Sequence, residues 1–216
     1  TEAQVGRIRT ALGPDFDVAL GMKHAAPFIE DAVASLGAVE RIVGVVLAPH
    51  FSRGSVGEYL NRLREAATVP VSGIESWSDL DAWVAFQADA VRAALSPATS
   101  VVFTAHSLPE RVLEGDRYPG ELEASAEAIA RRAGLDRWQI GWQSAGRTPD
   151  PWRGPDILDV LAEIHAERVL VCPQGFTADH LEVLYDLDVQ AAARADELGI
   201  GFARTRMVND DVDVLT

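Results

Sequence analysis

RVLVC, residues 168–172, is apolar at four consecutive positions. A strand with one wet face alternates apolar and polar residues, whereas one that is apolar throughout is covered on both faces, as in a parallel sheet between helices. VGVVLA, residues 43–48, has the same character. Working outward, strands are expected at Phe16–Met22, Arg41–Ala48, Ser100–Ala105, Trp138–Gln143, Arg168–Pro173 and Gly201–Arg206. Helical patterns fall between them near 26–37, 55–67, 76–95, 119–133, 155–166 and 180–198. Strands alternating with helices predict an α/β fold with parallel sheets flanked by helices. Ligands in such folds gather at the carboxyl ends of the strands.

The segment Thr68–Gly73, with Pro70 and Gly73, reads as a boundary. It divides a first half, residues 1–73, from a second, residues 74–216. VVLAPH (Val45–His50) and VVFTAH (Val101–His106) echo each other, each running an apolar strand into a histidine, which supports two related halves. The first half has two strand candidates, too few for an independent open sheet, so it is expected to be incomplete. The chain stops at VNDDVDVLT, where a doubly wound fold usually adds a helix.

Composition narrows the function classes. In 216 residues, 48% apolar and 24% charged, no apolar run reaches the roughly 18–20 residues of a membrane span. The opening TEAQVGRIRTALG reads as an amphipathic helix and not as a signal peptide. The single cysteine, Cys172, excludes an internal disulfide and a four-cysteine metal site within the chain, and a cytoplasmic setting is the simplest expectation. A net charge of −14 repels phosphate backbones, so nucleic acid is not an expected partner. No G-x-G-x-x-G follows a strand, which removes the generic dinucleotide binder.

Three stretches carry residues suited to chemistry. In FTAHSLPERV (103–112), His106 sits where a buried strand ends and Pro109 stops further pairing. An imidazole there can accept a proton or bind ferrous iron, or simply satisfy a backbone group. In GFTADHLEVLYDLDVQAA (175–192), Gly175 permits a sharp turn, and Glu182 and Asp186 lie one helical turn apart. Carboxylates so placed can hold a cation or pass protons; equally, Asp179 and Glu182 fit a capping box. In WQSAGRTPDPWRGPDI (142–157), Trp152 stands between Pro151 and the Gly154-Pro155 turn. It can wall a flat ligand or belong to the core.

AHSLP, QSAGRTPDPW-GPD and GF-ADHLEVLYDLD, in this order, resemble the signature regions of ferrochelatases, and the wording is closest to the soluble coproporphyrin enzymes of Gram-positive bacteria. GMKHAAPFIEDAV (21–33) and VVLAPHFSRGSVGEYLNRL (45–63) extend the likeness over nearly the whole chain. The resemblance implies two Rossmann-like halves with a porphyrin cleft between them, and insertion of ferrous iron into a porphyrin, coproporphyrin III before protoporphyrin. It implies His106 and Glu182 as iron ligands and proton-handling groups, with Asp186 extending an acidic track. It places Lys23, His24, Tyr59 and Trp152 against the substrate, with Lys23 and Tyr59 meeting porphyrin carboxylates. Iron is a substrate in this reaction and no external cofactor is expected; the enzyme would act as a monomer without membrane insertion.

Against the family pattern, a first segment with a tyrosine near the iron and propionate-holding arginines, and a final helix, are expected to lie outside this chain. The helix position eight residues after Glu182, a carboxylate in many relatives, is Gln190, which argues against a second metal site. Some actinobacterial relatives carry an iron–sulfur cluster, which one cysteine cannot support. Two alternatives stay open: a related chelatase inserting cobalt or nickel, and a fragment that binds porphyrin or metal without turnover.

Overall fold

The computed structural model describes residues 1–215, except for the side chains of Val212 and Asp213. The chain forms two compact units. One comprises Thr1–Trp77 together with the tail from Val208; the other is Ser78–Met207. The boundary falls four residues beyond Gly73, and the tail groups with the first unit where a simple division into 1–73 and 74–216 puts it with the second. The reason lies in local packing: the short helix Val212–Leu215 neighbours α1 (Glu2–Leu12), and Arg7 pairs with Asp210 at 3.5 Å.

The first unit also holds α2 (Ile29–Ser35), β1 (Ile42–Val45), a π-helical turn (Arg53–Gly57) leading into α3 (Glu58–Ala66), and β2 (Val71–Ile74). β1 and β2 pair in parallel with Gly44 opposite Gly73. Two expectations fail here. Phe16–Met22 forms no strand; Phe16 is 56% exposed, and the segment's pairing among the described residues is an isolated bridge from Met22 to Phe28. Conversely, VSGI (71–74) is a strand, although most of it lies in Thr68–Gly73, which the sequence reads as a boundary. Gly73 is there because α3 presses on it: a Cβ at Gly73 would lie 2.7 Å from the Leu60 side chain, and one at Gly44 2.5 Å from that of Leu63. Glycine inside a strand marks close approach as well as a turn.

The second unit is a four-stranded parallel sheet in the order β4-β3-β5-β6, made of β3 (Thr99–His106), β4 (Trp138–Gln143), β5 (Arg168–Cys172) and β6 (Gly201–Arg204). α4 (Asp81–Ala94) packs with α6 (Tyr118–Ala133), preceded by the short α5 (Glu110–Leu113). α7 (Ile157–Glu163) packs with the last helical run, α8 (Leu181–Tyr185), a π-helical segment (Asp186–Ala191) and α9 (Ala192–Glu197). Val102, Val169 and Val171 from the strands meet Leu161, Val183 and Leu187 from these helices in one buried cluster. Tyr118, Leu122 and Trp142 form another around Ala105. β3 and β5 are thus buried on two faces. β1, from the equally apolar VGVVLA, is not: Val43 and Val45 are half exposed, because among the described residues its sheet has only β2 beside it.

This strand order places a switch point between β3 and β5: the chain leaves β3 toward β4, crosses back to β5, and continues outward to β6. At such a point the loops beyond the strand ends diverge and leave a crevice. Gly175 presses the loop after β5 against β3. Its N–H donates to the Thr104 carbonyl at 3.0 Å, and a Cβ there would lie 2.7 Å from the Cα of Ala105. Its backbone angle is ordinary, so close approach, and not a sharp turn, is what demands glycine. Because the obstructing atom is backbone, Gly175→Ala is expected to cost about 2 kcal/mol as an overpacked site, lowering the melting temperature by about 4–8 °C in a thermal scan.

Candidate functional site

His106 ends β3, and Glu182 is the second residue of α8, reached through the loop after β5. The two flank the switch point, and His106 Nε2 lies 3.5 Å from Glu182 Oε1. Their side chains are 31% and 45% exposed, so the pair is open to a ligand and partly withdrawn from water. The other ring nitrogen, Nδ1, donates to the Ser107 carbonyl, which directs Nε2 toward the carboxylate. Below them Tyr118 donates its hydroxyl to the His106 carbonyl at 3.2 Å, and burial drives that phenol far above its ordinary range.

Charge follows this geometry. Burial pulls the His106 imidazole toward its neutral form, but the hydrogen bond and charge of Glu182, the Ser107 carbonyl and the charge of Asp186 together hold it above its ordinary value. Glu182 is held below the usual carboxylate range, first by its hydrogen bond with His106, against the opposing effect of burial. The pair is therefore predisposed to share a proton, or to trade it for a cation.

The capping reading of Glu182 does not hold. The helix is capped by His180, whose Nδ1 accepts the Glu182 N–H at 3.2 Å, and Asp179 pairs with Arg204 at 3.1 Å. Burial lowers the His180 imidazole, with the nearby His106 charge adding to the effect, which keeps Nδ1 an acceptor. Arg204, at the end of β6, also grips Asp188 with two hydrogen bonds of 2.7 and 2.9 Å. The Glu182 carboxylate is thus free of helix duty and faces His106.

Asp186, one turn beyond Glu182, is tied to the loop after β4. Its carboxylate accepts a hydrogen bond from the Ser144 hydroxyl, and Ser144 adopts a left-handed backbone (φ 62°) just beyond β4. Among the described residues no group of three His, Cys, Asp or Glu side chains converges as a metal cage. His106 and Glu182 therefore stand as a pair, with the Asp186 charge close enough to raise the imidazole and its carboxylate tied to Ser144.

Trp152 belongs to a built loop. Pro151 and Arg153 exchange backbone hydrogen bonds of 2.9 Å with Glu110 and Leu108, tying the loop to the segment after His106. The half-buried indole rests on Gly146, where a Cβ would lie 2.5 Å from the ring, and its N–H donates to Thr148 at 2.9 Å. It is neither core nor a loosely hung side chain.

Lys23, His24 and Tyr59 lie in the first unit. The Lys23 ammonium reaches Glu58 at 2.8 Å and the Gly54 carbonyl at 3.0 Å, and lies 5.6 Å from the Tyr59 ring centre. Tyr59 Oη accepts the Lys23 N–H at 3.3 Å. Lys23 holds the Glu58 carboxyl below its ordinary range, so its charge is already matched. A porphyrin carboxylate would have to share or displace Glu58. His24 is exposed beside them. His50, the echo of His106, is buried, and desolvation lowers its imidazole to about 3. The echo is one of sequence position and not of chemistry.

The family model described as Ferrochelatase matches residues 1–216. The chain is 40% identical over 211 residues to coproporphyrin III ferrochelatase of Halalkalibacterium halodurans, spanning 90% of this chain and 68% of that protein. Against the coproporphyrin III ferrochelatase of Bacillus subtilis it is 39% identical over 212 residues, with the same two coverages. With the ferrochelatase of Herpetosiphon aurantiacus it shares 41% over 224 residues, 94% of this chain and 73% of the other. Among solved structures, the sirohydrochlorin chelatase SirB of Bacillus subtilis subspecies spizizenii, in complex with cobalt, superposes with a TM-score of 0.62 at 13% identity, over 99% of this chain and 83% of that one. A multi-domain protein of Deinococcus radiodurans with structural similarity to chelatases gives 0.66 at 15% identity, over 99% of this chain and 48% of that one. These distant likenesses speak for the fold alone; the sequence matches speak for the family. The chain belongs to the ferrochelatase family.

Proposed function

We propose that this chain inserts ferrous iron into coproporphyrin III, with His106 and Glu182 as the pair that takes up pyrrole protons and guides the metal. The observation that carries the reading is the 3.5 Å approach of His106 Nε2 to Glu182 Oε1 at the open carboxyl edge of the sheet. Metallation replaces two pyrrole N–H protons with one Fe(II) ion that sheds its waters. Both halves of that exchange need a base and an anionic guide side by side. His106 in its neutral form accepts a proton at Nε2, and the Glu182 carboxylate stabilises the imidazolium that results. The same two donors suit ferrous iron in transit.

Around this pair, Leu181, 78% exposed, and Trp152 offer apolar and aromatic surface to a flat macrocycle. Lys23, His24 and Tyr59 are assigned to substrate binding in this reading, with Asp186 as a reserve carboxylate behind Glu182. No resident cofactor is required. Cys172 is buried in β5 and its thiol is pushed up to about 12 by burial, which suits a core residue and not a cluster ligand. Among the described residues no helix is long and apolar enough to cross a membrane. A water-soluble, many-carboxylate porphyrin and a cytoplasmic monomer fit that reading.

Anaerobic steady-state assays test it. Fe(II) insertion into coproporphyrin III is expected with a higher kcat/KM than into protoporphyrin, and with Co(II) and Ni(II) as poorer metals. Preferred insertion of cobalt or nickel would make the chain a different chelatase. Porphyrin binding without turnover would make it a binding module.

A further inference from the structure

Gln143 ends β4 at a place where a polar side chain has little structural reason to be. It is 1% exposed, and its backbone is the register partner of His106 in the parallel pairing of β3 and β4. Its carbonyl accepts the Ser107 N–H at 2.7 Å, locking the backbone immediately after the imidazole. Its side-chain Nε2 crosses to α8 and donates to the Glu182 carbonyl at 3.2 Å. Its Oε1 is buried without a hydrogen-bond partner among the described residues. A buried acceptor left unpaired opposes folding. An apolar side chain of the same size would pack there without that penalty, so stability does not account for the amide.

We infer that Gln143 is a positioning residue for the metallation reaction: its amide anchors the backbone of Glu182 to the strand beside His106 and so sets the separation of the His106–Glu182 pair. The inference rests on the reading of that pair as the acting groups. The contacts close a ring. His106 is tied to Gln143 by strand pairing, Gln143 to the Glu182 backbone by its amide, and Glu182 to His106 by its carboxylate. His180 accepts the Glu182 N–H and the Asp186 N–H donates to the Glu182 carbonyl, which fixes residue 182 within its own helix; the Gln143 amide is the tie that fixes this turn relative to β4. The anchor is made to backbone, which leaves the carboxylate available. The next residue, Ser144, takes the Asp186 side chain, so two consecutive residues divide the work of holding two carboxylate-bearing turns.

The test is a double-mutant cycle in the whole chain, using Gln143→Met, which keeps the side-chain volume and removes the donor. Gln143→Met is expected to keep or raise the melting temperature while kcat for Fe(II) insertion falls about 10–100-fold, as for other groups that orient metal-handling residues. KM for coproporphyrin should stay nearly unchanged. Binding of Co(II) alone, followed by visible absorption or calorimetry, is expected to weaken by about tenfold. Added to Glu182→Gln, the substitution should cost less than about threefold further, because the carboxylate it positions is already gone. A fully active Gln143→Met beside an inactive Glu182→Gln overturns the inference and leaves the reading of the pair intact. Full activity in Glu182→Gln overturns that reading itself. Losses that multiply in the double variant would place Gln143 outside the Glu182 linkage and overturn the inference. Should Gln143→Met not fold, Gln143→Leu carries the same measurements. If neither folds, Gln143 is a folding determinant and the inference fails.

Discussion

Replacing His106 by alanine is expected to lower kcat/KM for iron insertion by about 10³-fold, within the range seen when a positioned general base is removed. The imidazole is the side chain at the edge of β3 that combines a free ring nitrogen with an adjacent carboxylate. In the proposed reaction its loss removes both the proton acceptor and a metal donor. The fold should survive. His106 is partly exposed and lies outside the buried clusters, and the Tyr118 hydroxyl and Ser107 N–H bond to backbone carbonyls, which alanine retains. The melting temperature is therefore expected to stay within about 2–4 °C of the parent, the shift produced by about 1 kcal/mol in a chain of this size. Circular dichroism melts alongside single-turnover assays make the check. A folded His106→Ala chain with near-normal turnover would remove the imidazole from the mechanism.

How far such residues were legible in sequence depended on burial. RVLVC is apolar from Val169 to Cys172 and is covered on both faces. VGVVLA has the same character and leaves Val43 and Val45 half exposed, so an apolar run alone does not fix how many faces are covered. Val71–Ile74 gave the opposite impression. Pro70 and Gly73 are turn residues in isolation, yet Pro70 accepts the Ile42 N–H and Gly73 admits Leu60 at a distance a methyl group would forbid. Nothing in VSGI announces that α3 will lie on it; the constraint is tertiary. Phe16–Met22 erred the other way, since β-branched and aromatic content favours a strand but does not supply a neighbour to pair with.

The site divides along the same line. His106 and Glu182 were legible because each stands where a strand ends or a helix begins, and because their surroundings resemble one family. Their partners were harder. Asp179, two residues before the helix, looked like its cap; the cap is His180, since Arg204 from β6 draws Asp179 aside. Asp186 was read as a neighbour of Glu182 from spacing alone. A serine forty-two positions away, in a left-handed turn, also bonds its carboxylate, and nothing in the spacing announces that tie. Gln143 and Ser144 lay inside a stretch singled out for its tryptophan and prolines, and no spacing rule links them to residue 182. Long-range hydrogen bonds between loops leave no periodic trace in sequence.

Glu182→Gln separates electrostatics from shape, because the amide keeps the size and helix position of the carboxylate and loses its charge. A fall of about 10²–10³-fold in kcat/KM is expected, the scale on which charge stabilisation at a reacting centre contributes. His180 and not Glu182 provides the helix cap, so stability near neutral pH should change little. The pH dependence gives a second reading of the same substitution. In the parent, Glu182 supports the raised His106 value and is itself lowered. The carboxylate's contribution to stability is present above its ordinary value of 4.5 and is lost as pH falls through its lower folded value. The imidazole's contribution is complete below its ordinary 6.5 and is lost as pH rises through its higher folded value. Together they stabilise the chain most between those two ordinary values. In Glu182→Gln this extra stability should vanish, flattening the melting temperature across the window. The His106 imidazole, left with burial as the largest influence, should titrate at lower pH by NMR. The acid limb of the residual pH–rate profile should move the same way, since a base released earlier is free to accept a pyrrole proton at lower pH. An unchanged His106 titration together with full turnover would mean that the 3.5 Å approach has no part in the chemistry.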